Sequence, residues 1–133
     1  LDFNFNGDTI TKYTGTSSNV VVPSSYSILE TDGGKKYYIE GNDVKVKKIG
    51  ERAFWNNSNL DKVTISEGIE EIVTSAFDAS SIKTTVLPST MKIIGESAFL
   101  GSDLNSINFK KVKYQVHPLD QVQEEKIEFI SIR

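Results

Sequence analysis

Hydrophobic and polar positions alternate with period two at both ends of the chain and recur with a much longer period in the middle. Near the start, Phe3 and Phe5 alternate with polar residues, Asn6-Gly7 is a strong two-residue turn signal, and the alternation resumes through Ile10 to Tyr13. That pattern predicts a β-hairpin. Val20 to Val22 predicts a strand stopped by Pro23. From Ser24 to Asp43, "YSILET", a turn at "DGGK" and "KYYIEG" predict a second hairpin, with Tyr37 and Ile39 on one face and Tyr38 on the other. At the far end, "KIEFISIR" alternates again and predicts a strand covering the last unit of the middle region.

The middle region is a repeat. Ala-Phe falls at Ala53-Phe54, Ala76-Phe77 and Ala98-Phe99, steps of 23 and 22 residues (76 − 53 and 98 − 76). Ile49, Ile72 and Ile94 precede the aromatic, and Leu60, Ile82 and Leu104 follow it. Each unit closes on an alternating pair, Val63 and Ile65, Thr85 and Leu87, or Ile107 and Phe109. The extra residue of the first unit falls in "WNNSN", where a turn absorbs an insertion at little cost. The closing pairs predict short strands with one face buried. "GERAF" and "GESAF", starting on glycine and rich in helix formers, predict one short helical or 3₁₀ turn. A single unit cannot bury its apolar side, whereas stacked units can, so the pattern predicts a solenoid.

At these columns the sequence resembles the BspA-like, treponemal-type leucine-rich-repeat family of bacterial surface proteins. The carriers are "IGERAF…L..V.I", "I…SAF…I..T.L P" and "IGESAF…L..I.F", with the family's frequent opening echoed in "TITKYTG…VVVP". The match covers Thr9 to Pro23 and Val44 to Phe109; Val73 stands where the other copies have Gly50 and Gly95, and Thr85 where they have an aliphatic residue. The resemblance implies an α/β repeat: a right-handed leucine-rich-repeat solenoid of short parallel strands and short helical turns, with a β-hairpin N-terminal cap. It would form one domain over 1–133, divided into a β-rich cap with an inserted hairpin (1–43), three repeats (44–109) and a C-terminal cap (110–133). The resemblance also implies export and display on a bacterial cell, often in proteins with adhesive roles.

Composition narrows the chemistry. With 15 Lys plus Arg against 18 Asp plus Glu, the net charge of −3 provides no basic field for nucleic acid or an anionic membrane. The absence of cysteine removes disulfides, thiolate metal sites and cysteine nucleophiles together. No apolar run approaches the roughly 18 residues of a membrane span, so no direct insertion is expected of this segment. The chain opens at Leu1 without methionine and reads as a trimmed mature piece or an expressed fragment.

Individual motifs favour structure over catalysis. His117, the single histidine, lies in "QVHPLD" with Asp120 three residues away, too little for a hydrolytic triad, and no second histidine or cysteine could share a zinc ion. "DFNFNG" matches the first half of a calcium loop, but Tyr13 occupies the twelfth position where a bidentate glutamate is required, which favours the hairpin. "LPST" (Leu87 to Thr90) resembles a cell-wall sorting signal without its glycine, apolar tail or basic end, and reads as a structural proline. "NNS" at Asn56 to Ser58 is a glycosylation sequon by pattern alone. Lys45, Lys47, Lys48 and Lys110, Lys111, Lys113 alternate with valines as a solvated strand face does, with a polyanion or glycan contact as the alternative. Glu70-Glu71 and Glu124-Glu125 are sequence neighbours that point apart in a strand and make no acid/base pair. Phosphate-loop and nucleophile-elbow motifs are absent from the sequence.

The expectation is therefore no enzyme, no cofactor and no metal, but a surface. Outward positions Lys62 and Thr64, Thr84 and Val86, Ser106 and Asn108 should stack into two ladders on one sheet face. Short polar and β-branched residues also suit an unused face. Trp55, the one tryptophan, follows the first Ala-Phe and joins the candidate face, or else packs against the inserted hairpin. The expected function is an extracellular binding or adhesion module of a bacterial surface protein, at the cell surface or secreted, contacting a host or neighbouring-cell protein or glycan. The alternative is a structural spacer or stalk with no ligand of its own.

Overall fold

A computed structural model describes residues 1–109 and the backbone of Glu128 and Phe129. His117, Glu124-Glu125, Lys110, Lys111, Lys113 and most of the proposed C-terminal cap lie outside the described residues. Two sheets form the walls of a solenoid, and each turn of chain, or coil, contributes one strand to each. The first sheet runs β1 (Phe3–Asn6), β2 (Thr9–Tyr13), β6 (Lys48–Ile49), β8 (Glu71–Ile72), β10 (Ile93–Ile94) and β12 (Glu128–Phe129). The second is ordered β11 (Ser106–Phe109), β9 (Thr84–Leu87), β7 (Lys62–Ile65), β3 (Asn19–Val22). Apart from the antiparallel pair β1 and β2, every pairing in both sheets is parallel.

The core lies between the sheets, filled by columns of identical or similar residues. Ile10, Ile49, Ile72 and Ile94 line the first wall, and Val63, Ile65 and Leu87 the second. Between them Phe54 and Phe77 stack at 4.6 Å and 10°, and Phe77 and Phe99 at 5.0 Å and 11°. Tyr13 continues the column, stacked 5.2 Å from Phe54, and Phe3 packs against both rings. Thr9–Val22 is thus a further coil, with Tyr13 in the phenylalanine position; the family resemblance covers this stretch, but without Ala-Phe it reads as half a hairpin and a separate strand. Thr85 is tolerated in an aliphatic column because its hydroxyl donates to the Val63 carbonyl at 3.1 Å.

The expected short helices are absent among the described residues. In their place each coil makes consecutive tight turns. Ala53, Ala76 and Ala98 donate N–H back to the carbonyls of Gly50, Val73 and Gly95, each at 3.2 Å. Two residues per coil are left-handed, Arg52 and Asn56, Ser75 and Ala79, Ser97 and Gly101, with φ between 55° and 69°. Such residues interrupt any right-handed helical run. The reason is the hydrogen-bond accounting. The aromatic N–H is needed along the stack: Tyr13 donates to Ala53 O at 2.8 Å, Phe54 to Ala76 O at 2.9 Å and Phe77 to Ala98 O at 2.7 Å. A helix would consume those groups within the coil.

The second hairpin, β4 (Ser25–Glu30) with β5 (Lys36–Lys45), forms as the alternation predicts and makes a sheet of its own. It seats on β1. Tyr26 stacks on Phe5 at 3.9 Å and Tyr38 meets the same ring edge-on at 5.2 Å. The two hydroxyls donate to Gly7 O (2.7 Å) and Phe5 O (3.1 Å), satisfying backbone that would otherwise be an open edge.

Candidate functional site

The second sheet presents its outward side chains in register. Asn19, Lys62, Thr84 and Ser106 are paired across β3, β7, β9 and β11, and so are Val21, Thr64, Val86 and Asn108. The six strand residues chosen from sequence fall into these two rows, because a parallel pairing with no slip keeps every alternate side chain on the same face. Sequence reasoning missed the fourth rung, Asn19 and Val21; the signal was "NVVVP", read as a lone strand rather than as the first member of the sheet. Lys62, Asn108, Asn19 and Val21 are exposed, while Thr64, Thr84, Val86 and Ser106 are half-buried. The face is short-chained, β-branched and, apart from Lys62, uncharged.

Trp55 does not join these rows. It sits in the turn after Phe54, 45% exposed, with the Arg52 guanidinium 5.7 Å from its ring. The hairpin expected to shelter it is seated on β1 instead, through Tyr26 and Tyr38.

The other sheet carries a charge ladder. Glu70 is held between Lys47 (3.4 Å) and Lys92 (3.3 Å), and Glu71 lies 3.8 Å from Lys48. The hydrogen bond from Lys92 and then its charge lower the Glu70 pKa; desolvation opposes them, and the Lys47 hydrogen bond and charge add smaller lowering contributions. Lys47 and Lys48 thus have carboxylate partners within the stack, as weak, solvent-exposed ion pairs.

The remaining motifs resolve into scaffold. In "DFNFNG" Phe3 and Phe5 are buried and Asn4 and Asn6 exposed along β1, which places the asparagines on a strand. Among the described residues no group of three or more His, Cys, Asp or Glu could hold a metal. In "LPST", Pro88 is buried, the Ser89 N–H and hydroxyl donate to the Glu67 carboxylate, and the Thr90 hydroxyl donates to Ile69 O at 2.8 Å.

The BspA type leucine rich repeat region matches residues 36–118 in six copies. The chain belongs to the BspA-type leucine-rich-repeat family. No curated protein matches it significantly. Among solved structures, the pneumococcal vaccine antigen PcpA is similar at a TM-score of 0.50 and 19% identity, over 81% of this chain and 35% of that one. A Treponema pallidum leucine-rich-repeat protein (TM-score 0.41, 19% identity, 80% and 68% covered) and one from Bacteroides capillosus (0.41, 17%, 84% and 100%) are also similar. At such identities the likeness to PcpA speaks for the fold, and this chain spans about a third of that antigen's length. In the BspA-type repeats of this chain, the Ala-Phe signature thus serves the stack, and the variable surface lies one strand later.

Proposed function

We propose that this chain is a non-enzymatic, extracellular binding or adhesion module of a bacterial surface protein, recognising protein or glycan through the outward face of the second sheet. The observation that carries the proposal is the pair of four-rung ladders. Eight outward positions lie in register, and their side chains are mixed: Asn19, Lys62, Thr84 and Ser106 in one row, Val21, Thr64, Val86 and Asn108 in the other. The buried columns stay apolar apart from Thr85, whereas the outward rows mix amide, charged, hydroxyl and aliphatic side chains. Solenoids bind along such extended faces, and membership of a family of bacterial surface proteins supports the setting.

Arraying the protein against extracellular-matrix proteins and glycans tests this. Saturable binding that persists at high salt and is lost with Thr64→Glu, Thr84→Glu and Asn108→Glu together is expected. Silence across the array, or binding indifferent to that triple change, would transfer the chain to the spacer reading.

A further inference from the structure

A groove of about 570 Å³ opens at the first-coil end, away from the ladders of the later coils. Its floor is Phe3, Tyr13 and Val20, all buried; Leu1, Val21 and Ile39 form exposed apolar walls. Along one side runs β3, the end strand of its sheet.

The parallel register decides what that edge offers. Lys62 N–H donates to Ser18 O and Ser66 N–H to Val22 O, so the backbone groups of Val20 and Val22 turn toward β7 while those of Asn19 and Val21 turn outward. Asn19 is self-satisfied: its N–H and carbonyl both meet the Ser17 hydroxyl, at 3.3 and 2.8 Å. Among the described residues, the Val21 donor and acceptor have no partner and face an apolar trough, and the residue is 65% exposed. The corresponding edge of β1 is closed by two tyrosine hydroxyls. This one is open.

Charge selects the occupant. Among the described residues, the charged side chains lining the groove are Asp2 and Glu40, both exposed, with no lysine or arginine side chain beside them. We propose that this groove docks an extended segment of another protein, alternating apolar and basic residues, which adds one antiparallel rung at Val21. Apolar side chains fill the trough and the basic ones face Asp2 and Glu40. The groove shares Asn19 and Val21 with the first rung of the ladders but contains none of the rung residues of the later coils, so changes at Thr84 and Asn108 and changes at Val21 and Glu40 test the two readings apart.

The test uses three end-capped ten-residue peptides in calorimetric titrations against the intact chain: alternating Lys-Val, alternating Glu-Val, and Lys-Val with every second amide N-methylated. Saturable binding of the plain Lys-Val peptide is expected, with the other two at least about tenfold weaker, as losing hydrogen bonds or reversing charge implies. Val21→Pro deletes the outward N–H without touching the bonds to β7 and should weaken binding about fivefold. Glu40→Lys should weaken it about tenfold, while Thr84→Glu with Asn108→Glu should leave it unchanged. Circular dichroism of Val21→Pro confirms that the variant is folded, and Glu40→Lys supplies the readout where it is not. The proposal is overturned if the plain Lys-Val peptide does not saturate at millimolar concentration, or if the N-methylated peptide binds equally well. Dimerisation of the free chain that Val21→Pro abolishes would also overturn it, since the occupant would then be a second copy.

Discussion

Phe77→Ala is the sharpest probe of the stack. Phe77 is fully buried, with Phe54 at 4.6 Å on one face and Phe99 at 5.0 Å on the other, both rings nearly parallel to it. Removing the ring deletes its transfer free energy, opens a cavity between two rigid coils and ends both stacking contacts. Core Phe→Ala changes cost about 3–5 kcal/mol, and each aromatic pair contributes roughly 0.5–1.5 kcal/mol beyond area. The upper half of the range is therefore expected, because coils tied by backbone ladders on both sides cannot collapse inward. Against a total stability of about 5–15 kcal/mol for a domain, this is a large fraction. Urea titration followed by far-UV circular dichroism reads it as a lowered midpoint. Phe77→Leu, which keeps most of the volume but ends the stacking, should fall between the two. A midpoint for Phe77→Ala within error of the parent, or Phe77→Leu as damaging as Phe77→Ala, would refute the stacked-column account.

Ala79 holds φ at 55°, in the column where Gly101 sits at 69°, so Ala79→Gly should relieve left-handed strain of about 1 kcal/mol, part of it offset by chain entropy; a lowered urea midpoint would contradict this. The Ser80 hydroxyl is buried without a partner, and Ser80→Ala should raise stability by about 1 kcal/mol in the same titration, a decrease counting against the assignment. Glu70 has a folded-state pKa lowered chiefly by the hydrogen bond from Lys92. The native state thus binds fewer protons than the unfolded chain, the contribution is present above the unfolded value of 4.5, and it is lost as pH falls through the folded value. Melting temperatures taken from pH 6 down to pH 3 should fall more steeply for the parent than for Glu70→Gln, and parallel curves would show that the ladder is inert.

Much of this architecture was legible before any coordinates. The step between Ala53, Ala76 and Ala98 gave the coil, the alternation within Val63 and Ile65 gave the wall it faces, and Asn6-Gly7 gave the first hairpin. What escaped were features defined by groups that sequence patterns do not describe. "GERAF" looks helical because its side chains are good helix formers, yet the amides of Gly50 and Phe54 are claimed by the neighbouring coils. Tyr13 was hidden because a tyrosine after lysine carries no Ala-Phe signature, although its ring fills the same column. Trp55 was placed on the candidate face or under the inserted hairpin; it joins neither, because it lies in the turn after Phe54 and the hairpin seats on Phe5 through two tyrosines meeting one ring across the chain.

The sequence alone determined the period, the inward columns and the pairs of outward positions, since each follows from side-chain alternation repeated at a fixed step. Only the tertiary structure decided which residues share a surface with the first coil, where strand edges are closed, and that Val21 borders an acidic groove. Those outcomes depend on where backbone hydrogen bonds end, and that is settled by the stacking of distant segments.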